Sequence, residues 1–160
     1  MAVIYQSKNF LVQAPEAPLV DRNDGGHITI DPLTAVCTRQ ELHPKQAVEL
    51  MRLIAVAGNA MEKVMNSHGV DIGRINYQDN GNWSVFKPGG PTLHYHLYGR
   101  AKSAGSNQPY GQTLHFPHKD EYPELYSSLK PLTAEDVAGI KNEMEQLFLE
   151  ERYSDREWGL

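Results

Sequence analysis

The segment from Pro44 to Gly69 constrains the fold more than any other. Pro44 suits the first position of an α-helix, where its missing N–H has no intrahelical partner to lose. Apolar residues then recur at Ala47, Leu50, Met51, Ile54, Ala57, Met61, Val64 and Met65. That spacing draws one stripe along a single helix face. Gly69 stands where a left-handed C-terminal cap belongs. The helix predicted is about 23 residues long, above the average but within the normal range.

The rest of the chain reads as short strands and turns, followed by a second helix. Asn9–Gln13 has strand character and runs into Ala14-Pro-Glu-Ala-Pro18, which cannot supply a sheet ladder. Asp21–Gly26 has the composition of a turn. His27–Ile30 alternates as a strand that Asp31-Pro32 ends. Ile72–Gln78 reads as a strand, Asp79–Gly81 as a turn, Asn82–Phe86 as a short strand and Thr92–Arg100 as a strand. Residues 101–130 are rich in Gly, Ser, Pro, Asn and His and read as one long loop. The last helix is predicted over 133–152, with Thr133 as N-cap and Asp136 three residues on. Its buried stripe is Val137, Ile140, Met144, Leu147 and Phe148. Strands joined by turns between two helices suit an antiparallel α+β domain better than a doubly wound parallel sheet. At 160 residues the chain is expected to form a single domain over 1–160.

Composition removes several classes of function. The net charge of −5 argues against a nucleic-acid-binding face, since neutralising phosphates needs clustered Lys and Arg. The longest mostly apolar stretch, Leu53–Ala57, is far short of the roughly 20 residues of a membrane span. Residues 1–10 lack the apolar core of a signal peptide, so the cytoplasm is the expected compartment. A single cysteine, Cys37, excludes an internal disulfide and a four-Cys zinc site.

The chemistry concentrates in Pro91-Thr-Leu-His-Tyr-His-Leu-Tyr-Gly-Arg100. On a strand, His94, His96, Tyr98 and Arg100 project to one side, and Tyr95 and Leu97 to the other. Four polar side chains on one face are poor core material. Besides a solvated strand face, three readings compete. Two imidazoles at i and i+2 can share a metal ion. No carboxylate follows the pair, however, and Arg100 on the same face would repel a cation. Alternatively, a neutral imidazole can attack phosphorus and form a phosphoramidate, with a cation beside it favouring the anionic transition state. The third reading is a module that holds a phosphate without chemistry.

These residues resemble the histidine-triad (HIT) family of nucleotide hydrolases and transferases. The family motif His-x-His-x-His stands here as His94-Tyr-His96-Leu-Tyr98. Gly26-His27-Ile-Thr-Ile-Asp-Pro32 resembles the family's upstream Gly-His strand, and Asn80-Gly81 lies between the two. The resemblance covers roughly residues 9–102. It implies a HIT-like antiparallel sheet with one long helix and a C-terminal helix. It also implies that His96 is the nucleophile at the α-phosphorus of a nucleotide. The other ring nitrogen of His96 would be held by a backbone carbonyl, that of His94. His94 would orient the site, and His27 would stand beside the phosphate. Asn80 and Gln78 would supply the amide, and Arg100 the positive charge. The resemblance implies a homodimer and a nucleotide ligand, a purine nucleotide or dinucleoside polyphosphate ahead of nucleotide sugars and adenylated amines; no cofactor or metal is expected.

The chain departs from the family pattern in three places. Tyr98 replaces the third histidine, and its hydroxyl is expected to reach the phosphate. Gly89-Gly-Pro-Thr92 replaces the Gly-Gln-Ser/Thr approach to the triad, leaving Thr92 as the candidate phosphate-contacting hydroxyl. No acidic residue matches the ribose-binding position, although Asp21 and Asp24 precede His27. His115-Phe-Pro-His118, Lys87 with Gly89-Gly90, Cys37 and the acidic run Glu143, Glu145, Glu150 and Glu151 read as surface or packing features.

Overall fold

The computed structural model describes residues 1–79, 82–105 and 108–160. Five strands form one sheet: β1 (Ala2–Gln6), β2 (Phe10–Ala14), β3 (His27–Pro32), β4 (Ile72–Asp79) and β5 (Tyr95–Ala101). Their order is β1-β2-β3-β5-β4, and every pairing is antiparallel. The helices are α1 (Pro44–Ser67), α2 (Pro123–Ser127), α3 (Ala134–Leu149) and α4 (Asp155–Trp158). The architecture is α+β, as the pattern of elements requires.

Alternation along the strands separates two faces. Val12, Ile28, Ile30, Ile75 and Leu97 point into the main core, which they share with Leu53, Ala57, Met61 and Met65 of α1 and Ile140 and Met144 of α3. The opposite face carries polar side chains in register. Thr29 lies across from His96, His27 from Tyr98, and Gln78 from His96 on the other side. Helices thus cover one face, and the other is left for loops and the site.

The helix signals act as the sequence implies. Pro44 begins α1, and a capping box precedes it: the His43 side chain accepts from the Lys45 N–H, and Gln46 accepts from the His43 N–H. Gly69, with φ of 83°, follows the helix end. Thr133 caps α3 and exchanges hydrogen bonds with Asp136 at 2.9 and 3.1 Å.

Four expectations are corrected. β1 was not signalled, because it is an edge strand with Ile4 as its only buried residue. Asn82–Ser84 is a 3₁₀ turn rather than a strand, and Trp83 packs on His118 and Tyr126 instead of a neighbouring strand. The 101–130 loop contains α2. The last helix stops at Leu149, because Glu150 turns extended and lets Tyr153 enter the core before α4 begins. The Asp79–Gly81 turn extends outside the described residues.

The turn before β3 is held at two points. Gly25 adopts φ of 131°, and a Cβ there would lie 2.2 Å from the carbonyl carbon of Gly99. Two backbones therefore touch where any side chain would force them apart. Arg22 makes a two-pronged ion pair with fully buried Asp136 at 2.8 and 2.9 Å, and His68 Nδ1 lies 2.8 Å from the same carboxylate. Burial alone would raise the Asp136 pKa; Arg22, His68 and the cap at Thr133 outweigh it and hold the carboxyl well below the usual range.

Asp136→Asn should therefore lower unfolding stability by about 3 kcal/mol near neutral pH, because it leaves Arg22 without its counter-charge. The native pKa lies below the unfolded one, so this contribution is full above pH ~4 and fades as pH falls below it. Urea unfolding followed by circular dichroism at several pH values measures both effects. A variant as stable as the wild type at pH 7 would refute the anchoring role.

Candidate functional site

A cavity of about 480 Å³ opens over the polar face of the sheet. Its floor is formed by His27 and Thr29 of β3, Gln78 of β4, His96 of β5 and His94 just before β5. Loops form the other walls. Pro15, Pro18 and Leu19 come from the stretch after β2, and Trp83 and Ser84 from the 3₁₀ turn. Leu114, Phe116, Lys119 and Tyr126 come from the 101–130 segment. The floor can donate and accept hydrogen bonds, and the walls are largely apolar and aromatic.

The three histidines are in ring contact. His94 and His96 meet edge to face at 4.7 Å, and His27 and His96 stack at 5.0 Å. His27 Nε2 and His96 Nδ1 are 2.8 Å apart. The placement of the protons follows from the neighbours. The Leu19 N–H donates to His27 Nδ1 at 3.2 Å, so neutral His27 carries its proton on Nε2. That proton goes to His96 Nδ1. Neutral His96 then carries its own proton on Nε2, an atom with no partner among the described residues. His94 is oriented separately: its Nδ1–H donates to the Thr92 carbonyl at 2.7 Å, leaving Nε2 as an acceptor.

This finding corrects one expectation. His96 Nδ1 is held by His27, sixty-nine residues away in sequence, and not by the His94 carbonyl. Neighbouring strands bring the two rings together, a pairing that local sequence does not announce. Burial pushes the His27 pKa well below its ordinary value, and the nearby His96 and His94 add to the effect. Burial, followed by proximity to His94, brings His96 down to about 3. Both rings are therefore neutral at pH 7.

Three other predicted residues stand elsewhere. Arg100 shares the face of β5 but does not line the cavity. It is 5% exposed, and its guanidinium donates to Asn76 Oδ1 at 3.3 Å and to the carbonyls of Pro109 and Gln112 at 2.8 and 2.9 Å. The charge expected at the phosphate instead pins the 101–130 segment to the sheet. Tyr98 is completely buried under the histidines. It stacks on His96 at 5.4 Å and contacts His27 and Phe116 at 4.7 and 4.9 Å. In this position it packs against the histidine rings and is not among the residues that line the cavity. Thr92 is exposed, does not line the cavity, and acts through its carbonyl. Asn80 lies outside the described residues.

The sequence reading also missed participants. Thr29, Trp83, Phe116, Lys119 and Tyr126 line the cavity. Thr29 was legible in hindsight, being two residues beyond His27 on the same strand face. The loop residues carried no periodic signal. The cavity excludes Cys37, which is exposed, and His115. Among the described residues, no group of three or more His, Cys, Asp or Glu side chains is placed to hold a metal ion. No described helix is long and apolar enough to cross a membrane.

No family model and no curated protein matches this sequence. Solved structures do match the fold. A Hit-like protein involved in cell-cycle regulation from Bartonella henselae is similar over 89% of this chain and 85% of its own, with a TM-score of 0.56 at 11% identity. A hypothetical histidine triad nucleotide-binding protein from Sulfolobus tokodaii is similar over 91% and 84%, with a TM-score of 0.55 at 15% identity. A structure described as a uridylyltransferase matches 90% of this chain but 41% of its own, with a TM-score of 0.50 at 16% identity. The fold is HIT-like, as the resemblance of the motifs implies.

Two outcomes follow from the geometry. The depressed pKa values of His27 and His96 mean that the folded state binds fewer protons than the unfolded chain. Their contribution is full above pH ~6.5 and is lost as pH falls, at about 1.4 kcal/mol per pH unit for each ring. Unfolding curves between pH 7 and 5 should show this slope, and His27→Asn should flatten it by about one ring's worth; an unchanged slope would contradict neutral burial. Arg100→Ala should lower stability by roughly 1–3 kcal/mol by removing a buried side chain together with its hydrogen bonds to Asn76 and to the Pro109 and Gln112 carbonyls. It should also weaken the binding of a nucleoside and of its monophosphate equally. Selective loss of the monophosphate, measured by calorimetry, would return Arg100 to the phosphate.

Proposed function

We propose that the cavity binds a nucleotide with a phosphoryl group at His96, and that the protein acts at the α-phosphorus as a hydrolase or nucleotidyltransferase. The observation that supports this best is His96 Nε2, unpartnered among the described residues in a buried ring that lines the cavity. His94 stands beside it with an accepting Nε2. Gln78 contributes an amide whose buried Oε1 has no partner among the described residues. Asn80 follows two residues later. The apolar walls, with Leu19, Leu114, Phe116 and Trp83, suit a flat nucleobase. A purine nucleotide or a dinucleoside polyphosphate fits this division between floor and walls. A homodimer and a cytoplasmic location belong to the same reading; β4 ends the sheet with an unpaired edge, on which Tyr77 is exposed.

The proposed chemistry has two displacements. The Nε2 lone pair of His96 attacks the α-phosphorus, the bond from phosphorus to the leaving oxygen breaks, and the leaving group departs with that electron pair. Water, or a second phosphate, then displaces His96 and takes the nucleotidyl group. Attack needs the His96 proton on Nδ1, shared with His27 Nε2. In the resting pair the proton lies on His96 Nε2 instead, because the Leu19 N–H occupies His27 Nδ1. Turnover therefore requires the pair to exchange tautomers, which puts a proton on His27 Nδ1 and displaces the Leu19 contact.

The resting tautomer favours a second reading. His96 Nε2–H can donate to a phosphoryl oxygen without attacking, which makes the protein a nucleotide-binding module. One experiment separates the two. A reaction with a labelled dinucleoside polyphosphate is quenched at alkaline pH, where a phosphoramidate survives, and the adduct is mapped by mass spectrometry. The enzyme reading expects label on His96 and a loss of at least about a thousandfold in turnover in His96→Ala. Saturable binding with no adduct and no turnover would sink it in favour of the binding module.

A further inference from the structure

The charge that an anionic ligand must meet comes from an unexpected place. His27 and His96 are neutral at pH 7, so they bring hydrogen bonds to the floor but no fixed charge. Arg100 is turned away onto carbonyls, and Arg22 is paired with Asp136. The lining residues include one Lys and no Arg, Asp or Glu: Lys119 is the single formal charge among the described residues that line the cavity. It is exposed and makes no hydrogen bond or ion pair with any described residue. An unpaired ammonium at a cavity mouth is available to a ligand, and nothing in the lining competes for it.

The placement of Lys119 limits what it can read. It comes from the 101–130 segment, whereas the histidines come from the sheet floor. Its neighbour His118 packs on Trp83 at 5.1 Å, and Trp83 packs on Tyr126 at 6.3 Å. Aromatic packing thus holds the side chains of this wall together, and Lys119 stands exposed beside them. A cation on a wall other than the one bearing His96 suits a second anionic group, not the one at His96.

We propose that Lys119 is a specificity-determining residue that reads charge beyond the first phosphoryl group. It would select ligands with two or more linked phosphates over monophosphates. This inference rests on the reading of the cavity as a nucleotide site. It goes further in assigning the ligand class to a loop residue that the HIT-like motifs do not contain.

Calorimetry with two probes tests it: adenosine monophosphate and the non-hydrolysable α,β-methylene analogue of adenosine diphosphate. Wild type should bind the diphosphate analogue about tenfold more tightly, in line with a partly exposed charged contact. Lys119→Met should abolish that preference while leaving monophosphate affinity within about twofold. Lys119→Arg should retain the preference, and the preference should shrink as salt rises from about 0.05 to 0.5 M. Equal loss of both probes in Lys119→Met would overturn the proposal by placing the lysine at the first phosphate, and no loss of either would leave it without a role. Failure of both probes to bind the wild type would instead overturn the nucleotide site itself, and the proposal with it.

Discussion

Everything at the site depends on one hydrogen bond between two histidines that are far apart in the sequence. His27 and His96 meet at 2.8 Å because β3 and β5 are neighbours in a fixed antiparallel register. A slip of one residue would turn one of the two rings into the main core. The close approach of Gly25 to Gly99 sets that register locally, since it allows the turn before β3 to lie directly on β5. The Arg22–Asp136 pair then ties the same turn to the start of α3. Two backbones in contact and one buried ion pair thus fix the geometry of a pair of imidazoles.

Burial gives those imidazoles their character. An exposed histidine is half protonated near pH 6.5; these two are held neutral well below that. Neutral rings in a chain can act as donors, acceptors or nucleophiles according to where their protons sit. Here a backbone amide decides. The Leu19 N–H sets the tautomer of His27, and His27 sets that of His96. The strap after β2 thus influences His96 Nε2 without touching it.

The main elements were legible wherever a period or a cap was present. α1 followed from its stripe, from Pro44 and from Gly69, and the start of α3 from Thr133 and Asp136. The alternation of β5 correctly separated Leu97, in the core, from His96, on the floor. Individual roles were less legible, because an alternating pattern assigns a face and not a partner. Arg100 lies on the expected face, yet loop carbonyls nine and twelve residues downstream capture it. Tyr98 lies on that face too, but the loop covers it completely. Lys119 and Trp83 belong to irregular segments, whose positions are set by aromatic packing between residues distant in sequence. β1 escaped notice because a strand with one buried side chain has almost no pattern to show.

The loop wall does not rest on the main core. Val20, Tyr98 and Leu114 form a small apolar cluster of their own, with Leu19 and Phe116 packed against it, on the opposite side of the sheet from the helices. The sheet and helices can keep their packing whatever the wall is made of, provided that Tyr98 still offers a surface to seat it. Over evolutionary time such a wall can be exchanged, lengthened or rewritten while the histidine floor stays as it is. Tyr98 is then the seam between a floor that belongs to the sheet and a cover that does not.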